Sequence, residues 1–430
     1  MINILNAIQN EMENGYLGDD IDDAAKVEAA EYSELIEKDV DINDLLQSNI
    51  VCSNSGSNIK SIINSLEEGY YVIPPFQRRF VWNKSKIAYL ALSIIQSVPI
   101  PPIYVYTNEE RKQVVLDGQQ RMIAIFLYFN DLEYVKSDNH INFKDVSDLN
   151  AELRCLEAQE RKMVEDQSPK KEISNVRKNM AVVKEKLLVE YGMKRCSYCV
   201  DEDKDISFSL FAEKNRDYLL QKRLDITLVE SRDMKCIPHK TFSNIFKLLN
   251  SGGKPLGPQE VRNGVFWDTT LYENIYEINE SHETWRKIYG GISVFSKDME
   301  ILLKMVALCF YSRKNEEGYY EIDIQRFSWA NIMDSYSEMA SEKRGETTKE
   351  VLLLKKYLDA IEIDTNVKKC QRAVFEAMFV AYSKACLSDE TKISYEWLSS
   401  KKFEKVSSNK SSVEDRINKA VEWLKEICCV

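Results

Sequence analysis

Five consecutive residues, Asp117, Gly118, Gln119, Gln120 and Arg121, have the side chains and the position needed to bind a phosphate group. The apolar run KQVVL predicts a strand that ends at Asp117, and QQRMIAIFLYF predicts a helix that begins at Gln119. The first backbone N–H groups of a helix are unpaired, and the helix dipole is positive at that end. Such a junction is therefore predicted to attract anions.

The side chains of this segment suit different parts of a phosphate ligand. Gly118 lets a ligand approach the backbone closely, and Arg121 offers a forked pair of donors to a phosphate. Asp117 would cap the helix or hold a metal or a water, while Gln119 and Gln120 would orient a water or a sugar. In the structural alternative Asp117 is a plain N-cap and Arg121 a surface residue. The pentapeptide alone slightly favours that alternative, because short motifs recur by chance.

A second cluster, residues 74–82 (PPFQRRFVW), places one amide, Gln77, and two guanidinium groups, Arg78 and Arg79, between aromatic residues. Proline restricts the local backbone, and arginine beside aromatic rings suits phosphate, base or cation–π contacts. The alternative is a strand whose aromatic side chains are in the core and whose arginines are solvated. The two interpretations are evenly supported.

A third cluster follows the predicted helix KTFSNIFKLLN and consists of the polar loop Asn250-Ser251-Gly252-Gly253-Lys254. Paired glycines suit either a helix C-cap or a loop that passes close to a ligand, and the C-cap is favoured. The GxxxxGK[ST] spacing of a Walker A loop is absent from this segment.

Two residue pairs have the spacing of zinc ligands: Cys196 with Cys199, and Cys236 with His239. The gap between the pairs is long, and free thiols are the favoured alternative. The chain has only three histidines, and none lies in a recognisable Ser-His-Asp or Cys-His context. Nucleophilic hydrolysis through such a catalytic set is therefore not predicted.

These candidate residues require strands that carry them and helices that flank the strands, and the expected fold class is α+β. Residues 51–290 are predicted to form the core domain, which a charged helical hairpin at 146–222 interrupts. Residues 1–50 are predicted to be an acidic helical leader, with a disordered acidic tail as the alternative. Residues 291–430 are predicted to be a mostly α-helical domain.

The composition limits the setting and the partners. The chain of 430 residues has a formal net charge of −11, which disfavours non-specific binding to duplex DNA but allows a local basic groove. The N-terminus lacks the features of a signal peptide, and no apolar run is long enough to span a bilayer. The ten cysteines show no disulfide spacing. We therefore expect a cytoplasmic protein without membrane contact.

The clusters, in this order, resemble the N-terminal domain of the GmrSD-type modification-dependent restriction family. The segments that carry the resemblance are IPPFQRRFVW (73–82), SIIQSVPIPPIYVY (93–106), VVLDGQQRMIAI (114–125) and FKLLNSGGKPLGPQEVRNGVF (246–266). That family is similar to the ParB and sulfiredoxin superfamily of small nucleotide-handling folds. The resemblance implies a ParB-like α/β core that binds a nucleoside triphosphate with Mg²⁺. It also implies a role in bacterial defence against phage, beside a partner effector protein.

The resemblance assigns functional roles to individual residues. It implies catalytic roles for Asp117, Gln120 and Arg121. The nucleotide-binding set that it implies is Gln77, Arg78, Asp117, Gly118, Gln119, Gln120, Arg121, Asn250, Gly252 and Gly253.

The chain departs from the family pattern in one respect. Residues 283–430 contain no histidine, so a C-terminal His-Asn-His nuclease is not expected there in its usual form. The first hypothesis is therefore a nucleotide-binding, NTP-hydrolysing sensor or switch for an effector elsewhere. The second is a DNA-binding protein or nuclease with the ParB-like fold, and the third is a non-catalytic interaction module that nucleotide toggles. An oligomer is compatible with all three.

Overall fold

A computed structural model describes residues 17–18, 50–74, 80–108, 110–135, 141–200, 204–231, 245, 257–293, 296–342, 345–363, 368–385, 391–403, 407 and 409–428. The chain forms two compact units. The sheet unit comprises Ser48–Gly253, and the helical unit comprises Met1–Gln47 and Lys254–Val430. Residues 254–290, which the sequence analysis assigned to the core domain, thus group with the C-terminal helices; the domain boundaries themselves stay a prediction. The leader predicted at 1–50 lies almost wholly outside the described residues.

One strand, β1 (Leu17–Gly18), belongs to the helical unit, and five later strands form the sheet of the sheet unit. These five are β2 (Ile50–Asn58), β3 (Tyr71–Val72), β4 (Ile103–Thr107), β5 (Gln113–Asp117) and β10 (Arg223–Ser231). Their order across the sheet is β2-β10-β4-β5-β3. β10 runs parallel to β4 and β3 runs parallel to β5, whereas the β2–β10 and β4–β5 pairs are antiparallel. The strand predicted from KQVVL is confirmed.

The strand that leads into the candidate site is buried on both of its faces. Val114, Val115 and Leu116 are 1%, 0% and 3% exposed. A strand covered on both faces needs consecutive apolar residues instead of an alternating pattern. The apolar run in KQVVL has this physical cause, and it makes β5 a fixed support for Asp117.

Three helices of the sheet unit begin where the sequence places capping or turn residues. They are α1 (Ile59–Glu67), α2 (Lys84–Gln96) and α3 (Gln119–Phe129). The Asn83 side chain accepts a hydrogen bond of 3.0 Å from the Lys86 backbone N–H and so caps the start of α2. α3 packs against α2 and is buried along nearly its whole length.

The charged helical hairpin predicted from the sequence is confirmed as α4 (Phe143–Glu165) and α5 (Lys170–Val189), which pack against each other. The sheet unit also contains α6 (Glu213–Leu220) and two short antiparallel strand pairs. These pairs are β6 (Leu132–Tyr134) with β7 (Met193–Arg195), and β8 (Cys199–Val200) with β9 (Lys204–Asp205).

The helical unit consists mainly of nine α-helices in its described residues. They are α7 (Pro258–Phe266), α8 (Thr270–Ser281), α9 (Glu283–Tyr289), α10 (Lys297–Tyr311), α11 (Trp329–Ser341), α12 (Lys349–Ala360), α13 (Arg372–Lys384), α14 (Tyr395–Ser400) and α15 (Lys410–Cys428). Short strands join them: β11 (Ser312–Lys314) pairs with β12 (Tyr320–Ile322), β13 (Ile361–Glu362) with β15 (Ile393–Ser394), and β1 with β14 (Cys370–Gln371).

The architecture is mixed, with 60% of the described residues in helices, and the α+β class is confirmed. Within the described part of the chain, no helix has both the length and the apolar character needed to cross a membrane.

Candidate functional site

Three chain segments meet at the edge of the sheet that is formed by the ends of its strands, and Asp117 lies at that edge. They are the segments that follow β3 and β5 and the segment that precedes β4. β3 and β5 run parallel, so the chain leaves both strands on the same side. β4 runs antiparallel to β5 and pairs its Tyr104 with Asp117, which brings the start of β4 to the same side. In open α/β sheets this kind of edge, at the carboxyl ends of strands, is where ligands bind.

A β-bulge precedes the site. Tyr104 pairs with Asp117 and Val105 pairs with Val115, so Leu116 has no counterpart on β4. An extra residue of this kind bends and twists its strand, and bulges often redirect a side chain beside a functional site. The bulge therefore sets the direction in which the chain leaves β5 and enters α3.

Gly118 joins β5 to α3 in the left-handed conformation, with φ +99°. A Cβ atom at this position would lie 2.9 Å from Ile103 Cγ1 and 3.2 Å from Arg121 Nη2. Ile103 is only 2% exposed, so it has little space in which to move away. Both the backbone conformation and the lack of space require glycine here.

Arg121 is anchored from three directions. Its Nη2 atom lies 2.6 Å from Asp117 Oδ2, and its Nη1 atom donates to the backbone oxygen of Pro102 at 3.1 Å and to that of Pro101. The side chains of Arg121 and Asp117 are 13% and 28% exposed. The guanidinium group thus joins the end of β5 to the loop that precedes β4.

These contacts correct both halves of the structural alternative considered for DGQQR. Gly118 occupies the N-cap position of α3, and among the described residues no side chain caps this helix, so Asp117 is not its N-cap. Arg121 is mostly buried and is not a surface residue. Because α3 begins directly after Gly118, the N-terminal end of this helix lies beside Asp117.

The two glutamines of the motif lie in different environments. Gln119 is buried, with 8% of its surface exposed. Gln120 Oε1 accepts a hydrogen bond of 2.9 Å from the backbone N–H of Val81. Val81 lies two residues after Arg79 in the sequence, and this hydrogen bond holds the chain at Val81 beside the first turn of α3.

Sequence reasoning missed three contributors to this site. The carbonyl groups of Pro101 and Pro102 accept from Arg121, and Ile103 closes the space beside Gly118. The only sequence signal for them was the SVPIPPIYV segment. Backbone carbonyl groups leave no mark on residue identity, which is why the spacing of side chains could not reveal them.

Five of the predicted nucleotide-binding residues lie outside the described residues, and the structure does not test them. They are Gln77, Arg78, Asn250, Gly252 and Gly253.

The structure describes only the first of the two residue pairs that were predicted as zinc ligands. Burial raises the pKa of the Cys196 thiol to about 11, while Cys199 lies exposed at the start of β8. Cys236 and His239 lie outside the described residues. Within the described ranges no group of three or more His, Cys, Asp or Glu side chains is arranged to hold a metal ion. The zinc site stays a prediction.

Residues 59–267 match the family model of the GmrSD restriction endonuclease, N-terminal domain. The predicted resemblance is thus confirmed for this range, which contains the strand–turn–helix junction at Asp117–Arg121 and the PFQRRFVW segment. No curated protein and no solved structure matches the chain.

Proposed function

We propose, from the premise that residues 59–267 form a GmrSD restriction endonuclease N-terminal domain, that this chain binds and hydrolyses a nucleoside triphosphate. It would act as the sensor or switch of a bacterial restriction-type or anti-phage defence system whose effector is another protein or domain. The observation that carries the proposal is the sheet edge at which Asp117, Gly118 and the first turn of α3 meet.

The geometry of this edge fits a triphosphate. The first turn of α3 brings the positive end of the helix dipole to this edge, and Gly118 leaves the backbone without a side chain at the turn. Arg121 joins the loop before β4 to the end of β5. These two segments would form one side of the phosphate-binding site without a rearrangement. The chain at Val81 is held beside α3 by Gln120.

Asp117 has the chemistry of a magnesium ligand. Its carboxylate is partly accessible, and among the described residues only Oδ2 is engaged, by Arg121. Mg²⁺ in nucleotide sites takes one or two protein carboxylates and fills its remaining positions with phosphate oxygens and waters. When bound, it would neutralise charge on the phosphates.

Arg121 and Gln120 would have different roles in the proposed site. Arg121 fixes the Asp117 carboxylate in one orientation and adds positive charge beside the phosphate-binding turn. Gln120 holds the chain at Val81, and Gln77 and Arg78, four and three residues earlier in the sequence, would contribute further donors to the phosphates. Hydrolysis would then rely on fixed charges aimed at the phosphate oxygens as negative charge develops there.

Asp117→Asn tests this proposal because the amide has nearly the same shape and can still accept a hydrogen bond from Arg121. Phosphate release and nucleotide binding are measured on the full chain with each common NTP, with and without Mg²⁺ and DNA. We expect turnover to fall about 100-fold or more, because removal of one electrostatic contact costs roughly that in comparable sites.

Asp148→Asn is the matched control, since Asp148 also forms an i,i+4 ion pair, with Lys144 at 2.9 Å, but on an exposed face of α4. Turnover should be unchanged in this variant. Undiminished hydrolysis in Asp117→Asn would remove Asp117 from the reaction, and failure of every NTP to bind would end the nucleotide proposal.

The anchored state of Arg121 favours one alternative, a non-catalytic module whose docking to a partner is toggled by nucleotide. A guanidinium group that already contacts a carboxylate and two carbonyl groups serves as a scaffold without any reaction. Saturable binding without phosphate release in the same experiment would support this alternative.

A further inference from the structure

The edge strand β2 is long and continuous, and it lies at one side of the sheet. It pairs with β10 over all nine of its residues, from Ile50 opposite Ser231 to Asn58 opposite Arg223, with no shift in register. In the strand order of the sheet it is the outermost member. The structure describes no strand on its other side.

β2 lacks the features with which proteins usually protect a sheet edge. Its sequence, IVCSNSGSN, contains no charged residue and no proline. Residues 51–55 are all exposed, and because neighbouring side chains point to opposite faces, neither face of this half is covered. Lysines, prolines, bulges or covering segments normally prevent such an edge from pairing with another strand.

We propose that β2 is a dimerisation strand, which pairs antiparallel with β2 of a second copy of this chain. A two-fold axis that passes near Asn54 would place Ser53 opposite Ser55 of the other copy, and the same pair would recur by symmetry. The facing side chains are small, polar and uncharged, so they can hydrogen-bond across the strands without like charges opposite one another. Two five-stranded sheets would become one.

A second copy of β2 fits this edge better than a strongly charged strand does, because β2 has no charged side chain that could pair with the charges of such a strand. Affinity would come from the main-chain hydrogen bonds that an added strand makes along the edge. Each copy has a net charge of −11, so two copies repel at long range. Added salt screens that repulsion and leaves the main-chain hydrogen bonds in place. The dimer should therefore strengthen as ionic strength rises, whereas a complex with a basic partner would weaken.

Sedimentation of the full chain over a series of concentrations tests the proposal. Ser55→Lys places two lysines at diagonal positions across the two-fold axis, and Ser55 is exposed in the structure. We expect the dissociation constant of the dimer to rise about tenfold. Ser174→Lys, on the exposed face of α5, makes the same substitution away from β2 and should leave the dimer unchanged.

A mixture of Ser55→Lys with Ser55→Glu distinguishes strand pairing from damage to the fold. Opposite charges then face each other across the axis, so the mixed dimer should recover the affinity of the natural chain, which an unfolded variant would not do. Circular dichroism of each variant is the control that shows whether it is folded. A natural chain that stays monomeric at every concentration would overturn the proposal, and so would equal dimerisation by Ser55→Lys and the natural chain. Neither outcome bears on nucleotide binding at Asp117.

Discussion

At the scale of single residues, Arg121 changes how the candidate site should be probed. Its side chain holds Asp117 and two proline carbonyl groups, so Arg121→Ala would remove structural contacts together with any phosphate contact. A loss of turnover in that variant would have two explanations. Asp117→Asn leaves those carbonyl contacts in place, which makes it the more informative substitution.

Gly118→Ala should destabilise the protein and reduce nucleotide binding. The new methyl group would meet Ile103 at 2.9 Å, and a residue with a side chain is strained at φ +99°. We expect a loss of roughly 1–3 kcal/mol in the free energy of unfolding, measured by urea denaturation.

Gly69→Ala is the matched control for this substitution. Gly69 also has a positive φ, +69°, but its added Cβ would meet nothing within 4 Å. The difference between the two variants isolates the effect of crowding against Ile103. Equal losses in both variants would show that only backbone conformation matters at Gly118.

Glu376 carries a separate residue-scale prediction in the helical unit. Burial alone would raise the pKa of this carboxyl, but the neighbouring Lys304 and Arg372 together hold the pKa below its ordinary value of 4.5. Lys304 Nζ lies 3.1 Å from Glu376 Oε2. Glu376→Gln leaves the Lys304 charge buried, and we expect a loss of about 3–5 kcal/mol in stability.

The pH dependence of this effect follows from the direction of the shift. Because the folded pKa is the lower one, ionised Glu376 stabilises the fold above about pH 4.5. That contribution is lost as the pH falls through the folded pKa. The thermal unfolding temperature should thus change less between acid and neutral pH in Glu376→Gln than in the natural chain. Glu426→Gln, which breaks the exposed pair with Lys401, should cost less than about 1 kcal/mol and keep the natural pH profile.

At the scale of elements, one hydrogen bond links two segments that are 39 residues apart. Gln120→Leu removes the acceptor for the Val81 N–H, and we expect about 0.5–1.5 kcal/mol of lost stability. If the segment at 75–79 contributes to the proposed site, nucleotide affinity measured by calorimetry should also fall. Gln120→Glu keeps an acceptor oxygen and should preserve stability. Unchanged affinity in Gln120→Leu would separate the FQRR segment from nucleotide binding.

Element types could be predicted where pattern and capping agreed. The helix that begins at Gln119, the KQVVL strand and the charged hairpin were all identified, because their periodicity and flanking residues are local properties. The strand β3 ends at Val72, and none of the described residues of the PPFQRRFVW segment belongs to a strand. Partner strands decide how far an extended segment is paired, and a sequence pattern does not show its partners.

At the scale of the whole molecule, the two units should unfold separately. Each has its own buried core, so calorimetry of the full chain should show two transitions. A nucleotide at 100 times its dissociation constant should stabilise the sheet unit by about 2.7 kcal/mol. Glu376→Gln identifies the transition of the helical unit, because it should lower the unfolding temperature of that unit alone. A nucleotide that shifts the transition sensitive to Glu376→Gln would contradict binding at Asp117.

Three properties could be predicted without the structure: the class of the fold, the strand–turn–helix junction at Asp117–Arg121 and the similarity of residues 59–267 to a known family model. These properties depend on local periodicity, on glycine and capping residues, and on an ordered set of motifs. The tertiary structure was needed to show that Arg121 is anchored by Asp117 and by the carbonyl groups of Pro101 and Pro102. It also decided that β2 lies at the edge of the sheet. Both depend on which distant segments meet, and that is set by the packing of the whole sheet unit.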